Sequence, residues 1–180
     1  MTIWTGKEVA RYIEQPPEVK INPNGVDVRA SEVWMLKPKT IATLHGDTRK
    51  VEPPMVKLEP NKEGFYILKE GFYQVRFANK VTIPPHAVGF CFPRTSLNRL
   101  GMIKSETGLW DSGYSGFGTQ SVYVAVNEFR IHKDECWFQF TLMDMKEEVD
   151  HLYKGHWQGE RPAMASGPGQ RPGEKPEAKK

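Results

Sequence analysis

Residues 94–116, RTSLNRLGMIKSETGLWDSGYSG, carry the side chains best suited to chemistry. Arg94, Thr95, Ser96 and Arg99 offer cations and hydroxyls, the groups that hold phosphates. Backbone N–H groups at the start of a helix there would add to them. Leu97 and Leu100 are expected to face a core, leaving Arg94, Ser96 and Arg99 outward. Asp111 follows in a Gly-rich turn, with Tyr114 three residues on. A carboxylate beside a phosphate clamp repels the ligand unless it has a task, such as orienting a water or a metal.

Each stretch also has a plainer reading. Residues 93–101 are equally a capped surface turn with solvated arginines. In Gly108-Leu109-Trp110-Asp111-Ser112-Gly113-Tyr114-Ser115-Gly116, the glycines permit close approach to a ligand, and Tyr114 can pack flat against a sugar. The same residues suit a simple hairpin whose Asp111 makes an Asx-turn. Asn24-Gly25 signals a tight turn into a strand, which sets Asp27 beside that turn. Taken alone, Asp27 reads better as a structural aspartate. The segment Tyr153-Lys154-Gly155-His156-Trp157-Gln158-Gly159 is aromatic and Gly-rich. It can close over a ligand or pack as a chain end on a neighbouring surface.

Other chemistries lack their residues. Cys91 and Cys136 have no CxxC spacing, and the five histidines form no HxxxH or HxE pattern. A zinc deaminase signature and a GxSxG elbow are both missing.

The elements that must position these groups are mostly strands. TGKEVARYIE, residues 5–14, reads as a short helix capped by Thr5 and ended by Pro16-Pro17. Thereafter VDVRA, KTIATL, FYILK, FYQVRFA, KVTIPP, AVGFCF, QSVYVAVNEF and CWFQFTLMDM are short, β-branched or aromatic runs divided by Gly, Pro and Asn. Their roughly ten-residue spacing predicts an all-β sandwich or barrel of jelly-roll type. No Gly-rich loop leads from a strand into a long helix, against a P-loop or Rossmann fold. Residues 45–63 read as a long surface loop. Residues 1–159 read as one domain. Residues 160–180, rich in Gly, Pro and charge, read as a disordered tail.

Composition narrows the partners. The net charge is +3, and residues 160–180 hold five Lys/Arg against three Asp/Glu, leaving 20 basic and 19 acidic residues elsewhere. A near-neutral body argues against nucleic acid but permits a small polyanion. No apolar run is long enough for a membrane span, and the first residues lack a signal peptide's apolar block. The two cysteines read as buried free thiols, and the expected location is cytoplasmic.

Taken together, five stretches resemble the dUTPase and dCTP deaminase superfamily. Pro93–Gly101 is similar to its PRSSLARLG phosphate motif, and Thr107–Gly116 to its TxGxIDxGYxG hairpin. Gly25–Ala30 resembles the GVDVRL strand. Phe129–Phe140 resembles a later strand pair that ends in a phosphate-side glutamine, here Gln139. Tyr153–Gly159 resembles the YxGKYQGQ segment of deaminase-like members, as does the N-terminal helix.

The resemblance implies a distorted jelly-roll β-barrel with a short N-terminal helix. It implies a homotrimer with sites between subunits, a deoxynucleoside triphosphate ligand, and Mg²⁺ held mostly by phosphates and water. Asp111 would be catalytic. Arg94, Thr95, Ser96, Arg99 and Gln139 would bind phosphate; Thr107, Gly108 and Trp110 would meet the base, with backbone groups of residues 107–113 reading the uracil edge, and Tyr114 would lie against the deoxyribose. Asp27 would hold a metal-bound water, and Tyr153, Lys154 and Gln158 would belong to a closing segment. Deaminases place a glutamate ten residues beyond the hairpin aspartate. Here that position is Ser121, preceded by Gln120, and neither shuttles protons as a carboxylate does. Glu128 stands seven residues later. The chain also departs from ordinary dUTPases: it reads GYSG where they often read DYRG, and it lacks their RGSGGFGS arm. The implied reaction is hydrolysis of dUTP to dUMP and pyrophosphate. The alternatives are a mono- or bifunctional dCTP deaminase, or a non-catalytic nucleotide-binding regulator.

Overall fold

The computed structural model describes residues 2–14, 17–37, 44–45, 48–49, 55–105 and 108–161. Thr107, most of the KTIATL run and residues 162–180 lie outside them. The chain is all-β. Two short helices, α1 (Gly6–Ala10) and α2 (Thr95–Arg99), accompany strands that begin with β1 (Lys20–Asn22), β2 (Gly25–Leu36), β3 (Leu44–His45) and β4 (Thr48–Arg49). They continue with β5 (Met55–Leu58), β6 (Phe65–Phe77), β7 (Val81–Thr82) and β8 (Ala87–Pro93). Then come β9 (Met102–Lys104), β10 (Ser115–Gly116), β11 (Thr119–His132) and β12 (Cys136–Asp144).

The main sheet runs β8-β12-β2-β6-β11-β9, with β1 and β5 also paired to β2. Strand β2 is the hinge of this arrangement. Its first half, Val26 to Arg29, pairs with β12, while Ala30 to Met35 pair with β6. Register shifts sit at the change of partner, between Ala30 and Glu32 and between Cys136 and Phe138. Bulges there bend the sheet and carry β2 from one face of the barrel to the other. All these pairings are antiparallel, so side chains alternate inward and outward along each strand. The inward set of β6 and β12 supplies Tyr73, Phe77, Phe138 and Phe140, all at 1 % exposure or less. Phe77 lies at the centre, stacked on Trp110 with centroids 5.3 Å apart and tilted against Phe138 at 5.5 Å.

Several expectations need correction. Helix α1 has the expected Thr5 cap, with Thr5 and Glu8 bonded reciprocally. It ends at Ala10, well before Pro16, because strand pairing captures the following chain. Ile13 bridges Val81, and the Thr82 N–H donates to the Tyr12 carbonyl at 2.9 Å. The runs FYILK and FYQVRFA form one strand, β6, rather than two. Residues 45–63 are not all loop, since β5 pairs with β2 from Val33↔Leu58 to Leu36↔Met55. Leu97 is buried, but Leu100 is 64 % exposed. The helix ends at Arg99, so the i,i+3 relation that would align the two leucines does not extend to Leu100. Glu160 and Arg161 are packed on the barrel, where the Glu160 carbonyl accepts from Phe117 N–H at 2.9 Å and the Arg161 carbonyl from Arg76 at 2.8 Å. The packed chain therefore extends past residue 159.

Cys91 and Cys136 are buried, as expected, and burial pushes the Cys136 thiol up. Among the described residues no helix is long and apolar enough to cross a membrane.

Candidate active site

The cationic half is built where three strands meet. Gln139 on β12 lies between Asp27 on β2 and Phe92 on β8. The β1–β2 turn places Asn22 beside Asp27, and Asn22 Nδ2 donates to Asp27 Oδ1 at 2.7 Å. Arg94, just past the end of β8, reaches the other oxygen, with Nε 3.0 Å from Asp27 Oδ2. Its Nη1 donates to the Cys136 carbonyl at 2.9 Å. Asp27 is only 5 % exposed, and both its oxygens are engaged. Asp27 thus anchors the guanidinium, which is the structural role its residue type alone suggested. Arg94 Nη2 is the donor these bonds leave over. Thr95, Ser96 and Arg99 stand exposed on α2, as an anion surface needs. Sequence reasoning missed Arg29, which lies two residues beyond Asp27 on the same strand face and opposite Cys136.

The carboxylate half is the 108–116 hairpin. Trp110 exchanges both main-chain hydrogen bonds with Gly89 of β8, at 2.9 and 3.1 Å. Its ring is buried against Phe77. A Cβ on Gly118 would lie 1.9 Å from that ring, so only glycine fits beneath it. Trp110 therefore fixes the hairpin from inside, and its main-chain groups on the β8 side are taken by Gly89. Asp111 begins a turn closed by the Tyr114 N–H on the Asp111 carbonyl at 3.0 Å. Gly113 occupies the third position at φ +85°, which a type II turn requires. Ser112 Oγ ties the turn to the Ala87 carbonyl at 2.6 Å. The Asp111 carboxylate itself is exposed. Gly108 stands exposed at the hairpin's start.

Tyr114 is enclosed by its own chain. It is 6 % exposed, edge-on to Trp110 and Tyr153, and its hydroxyl accepts the Gly118 N–H at 3.1 Å. Burial, with the Glu160 carboxylate nearby, pushes that hydroxyl far above the usual tyrosine range. In this arrangement the ring is packed between Trp110 and Tyr153.

Residues 152–160 lie along the hairpin. Tyr153 N–H donates to the Ser112 carbonyl and Gly159 N–H to the Ser115 carbonyl, both at 2.9 Å. Gln158 bridges the turn: its Oε1 accepts from Ser115 N–H at 2.9 Å, and its Nε2 donates to the Gly113 carbonyl at 2.8 Å. Two of the three residues expected in a closing segment, Tyr153 and Gln158, thus meet the hairpin, while Lys154 is exposed.

The two halves do not meet within one chain. Trp110 and Ser112 bind Gly89 and Ala87 near the start of β8, and Arg94 follows its last residue. Six residue steps of strand separate them by about 20 Å, farther than both side chains reach together.

The deaminase position also holds no carboxylate. Gln120 is 2 % exposed and donates to the Thr119 carbonyl, and the Ser121 carbonyl accepts from Ser105. Glu128 sits beyond a bulge between Val124 and Glu128, paired with Lys69 and Arg130. Those two cations lower its carboxyl below the usual range.

The sequence model of the dCTP deaminase-like domain matches residues 3–145. The chain belongs to the dCTP deaminase-like family. Relatives within reach carry two activities in their names. A probable deoxyuridine 5′-triphosphate nucleotidohydrolase of Aeropyrum pernix is 35% identical over 141 residues, 78% of this chain and 86% of that one. Its counterpart in Methanosarcina mazei is 30% identical over 171 residues, 89% of this chain and 98% of that one. A dUMP-forming dCTP deaminase of Persephonella marina is 28% identical over 149 residues, 82% of this chain and 83% of that one. The dCTP deaminase-like fold recurs in the crystal structure of 2′-deoxycytidine 5′-triphosphate deaminase from Agrobacterium tumefaciens. There the TM-score is 0.62 at 13% identity, covering 79% of this chain but only 48% of that one.

Proposed function

We propose that this enzyme hydrolyses dUTP to dUMP and pyrophosphate. One observation carries the reading: an exposed carboxylate, Asp111, is held in a rigid turn, while the position of the deaminase glutamate holds Ser121. The names of the archaeal relatives support the same reaction.

Asp111 accepts a proton from a water. The water oxygen bonds to the α-phosphorus, the bond from that phosphorus to the bridging oxygen breaks, and pyrophosphate leaves. Arg94, Ser96 and Arg99 stabilise the charge that develops on the phosphate oxygens. Thr95 and Gln139 border the same anion surface. Main-chain groups of the hairpin, rather than the Trp110 ring, are left to meet the base.

Magnesium suits this chemistry only as a companion of the substrate. No group of three or more His, Cys, Asp or Glu could hold a metal among the described residues. Asp27 is committed to Asn22 and Arg94. The residues therefore do not form a protein-held site, and Mg²⁺ would arrive on the triphosphate, as it commonly does.

Asp111 and Arg94 lie about 20 Å apart along β8, so we place the working site between copies of the chain in a homotrimer. A neighbour's cationic half would face the hairpin.

The test supplies purified protein and Mg²⁺ with dUTP or dCTP in parallel and scores pyrophosphate and ammonia separately. Pyrophosphate from dUTP without ammonia from dCTP is expected. Ammonia from dCTP would assign the chain to the deaminases, and silence in both channels would leave nucleotide binding alone.

A further inference from the structure

Arg76 is a buried cation that the proposed reaction does not use. It lies on β6 with its side chain 7 % exposed, and it serves four partners, the first being Thr119 Oγ1, to which Nε donates at 3.4 Å. Nη1 donates to Glu32 Oε2 at 3.0 Å and to the Arg161 carbonyl at 2.8 Å. Nη2 donates to Glu160 Oε1 at 3.2 Å. The same Glu160 oxygen accepts from Thr119 Oγ1 at 2.6 Å. Glu32 and the Glu160 side chain are 3 % and 11 % exposed, so this is a desolvated network. In such surroundings an ion pair is worth keeping only when its geometry is well satisfied, and losing one partner is costly.

The network sits where the C-terminal segment rejoins the barrel. Upstream of Glu160 that segment touches the Asp111 hairpin through Tyr153, Gln158 and Gly159. Leu152 fills the space beside Gly113. The segment is therefore a strap, seated along the hairpin and fixed at its far end. Its middle is less secured, with Lys154 and Gly155 exposed.

We propose that the Glu160–Arg76 pair is a latch that holds this strap on the hairpin and so positions Asp111. Glu160 and Gln158 are then positioning residues, acting through the hairpin backbone. The catalytic part of this inference rests on the dUTP hydrolysis reading; the latch itself does not. Releasing the latch frees Ser115 N–H and the Gly113 carbonyl from Gln158, and the turn that carries Asp111 loosens. A reacting group displaced by about 1 Å can cost about 100-fold in rate.

The experiment uses the full chain and the variants Glu160→Ala, Glu160→Gln, Thr119→Ala and Gln158→Ala. Strap opening is read without substrate, by tryptic cleavage after Lys154 and by hydrogen exchange at Ser115 N–H. Glu160→Ala is expected to raise both rates about 10-fold or more. It is also expected to lower kcat for dUTP by about 10- to 100-fold with a much smaller change in KM. Glu160→Gln keeps an oxygen for Arg76 and Thr119, and it should recover most of kcat. Thr119→Ala removes only one bond to the latch's Glu160 oxygen, so it reads strap opening even where Glu160→Ala fails to fold, and Gln158→Ala, which deletes the Ser115 acceptor itself, is the positive control for exchange. Cleavage and exchange at wild-type rates in Thr119→Ala and in a folded Glu160→Ala would overturn the latch. An opened strap with unchanged kcat would overturn the positioning role. A wild-type chain that turns over no dUTP would defeat the hydrolysis reading, and cleavage and exchange would still decide the latch.

Discussion

The two ends of β8 are built on opposite principles. At one end Arg94 is fixed by Asp27 and the Cys136 carbonyl, and Asp27 in turn by Asn22. Those bonds join β1, β2, β8 and β12, so the cation is set by the central strands. At the other end Asp111 stands exposed on a turn that is pinned from below by Trp110 and from the side by the strap. On the proposed reading, the end that would bind the anion is preorganised by a partly buried ion pair. The end that would react keeps its carboxylate exposed. A side chain meant to orient a ligand can be satisfied within the protein, whereas one meant to take a proton must not be.

Substitutions at each end should fail differently. Asp111→Asn is expected to lower kcat by about 10²- to 10⁴-fold. Calorimetry should still find nucleotide binding, and the melting temperature should not move. Near-normal turnover would end the contrast. Trp110→Ala should destabilise by about 3–5 kcal/mol in urea denaturation, since it empties a packed aromatic site against Phe77 and Phe140. A stable variant with an altered base preference would instead return Trp110 to the ligand. Asp27→Asn removes the charge facing Arg94 and should cost about 1–3 kcal/mol, with a raised KM for the triphosphate. A stable variant with unchanged KM would mean that Asp27 does not position Arg94. Glu128→Gln should be the mildest. Its carboxyl is lowered in the fold, so its contribution is present above the ordinary carboxylate range and lost as pH falls through the folded value. The variant should flatten the acid limb of stability slightly and leave turnover unchanged. A lost turnover would point to Glu128 as a reacting group.

Local chemistry made much of this legible. The Thr5 cap, the alternating strands and the Gly-rich hairpin all follow from short-range preference. The all-β architecture follows from their spacing. What escaped depends on partners distant in sequence. Helix α1 is shortened by a bridge from Ile13 to Val81, which no local pattern announces. The burial of Trp110 and Tyr114 depends on the seating of Phe77 and Gly118, which their residue types alone do not announce. Arg76 and Glu160 are 84 residues apart, and each alone resembles an ordinary surface charge. Glu160 even opens the polar stretch that composition assigns to a tail. Thr107 lies outside the described residues, and its part in the site stays an expectation.

On the composite-site proposal, a strand that keeps the two reactive ends apart makes turnover a collective property. Dilution below the dissociation constant of the assembly would extinguish activity while every chain stayed folded. Two silent variants, Arg94→Ala and Asp111→Asn, would revive one another when mixed, because some shared sites would then receive both intact halves. The abundance of the chain, as much as its sequence, would set how fast it works.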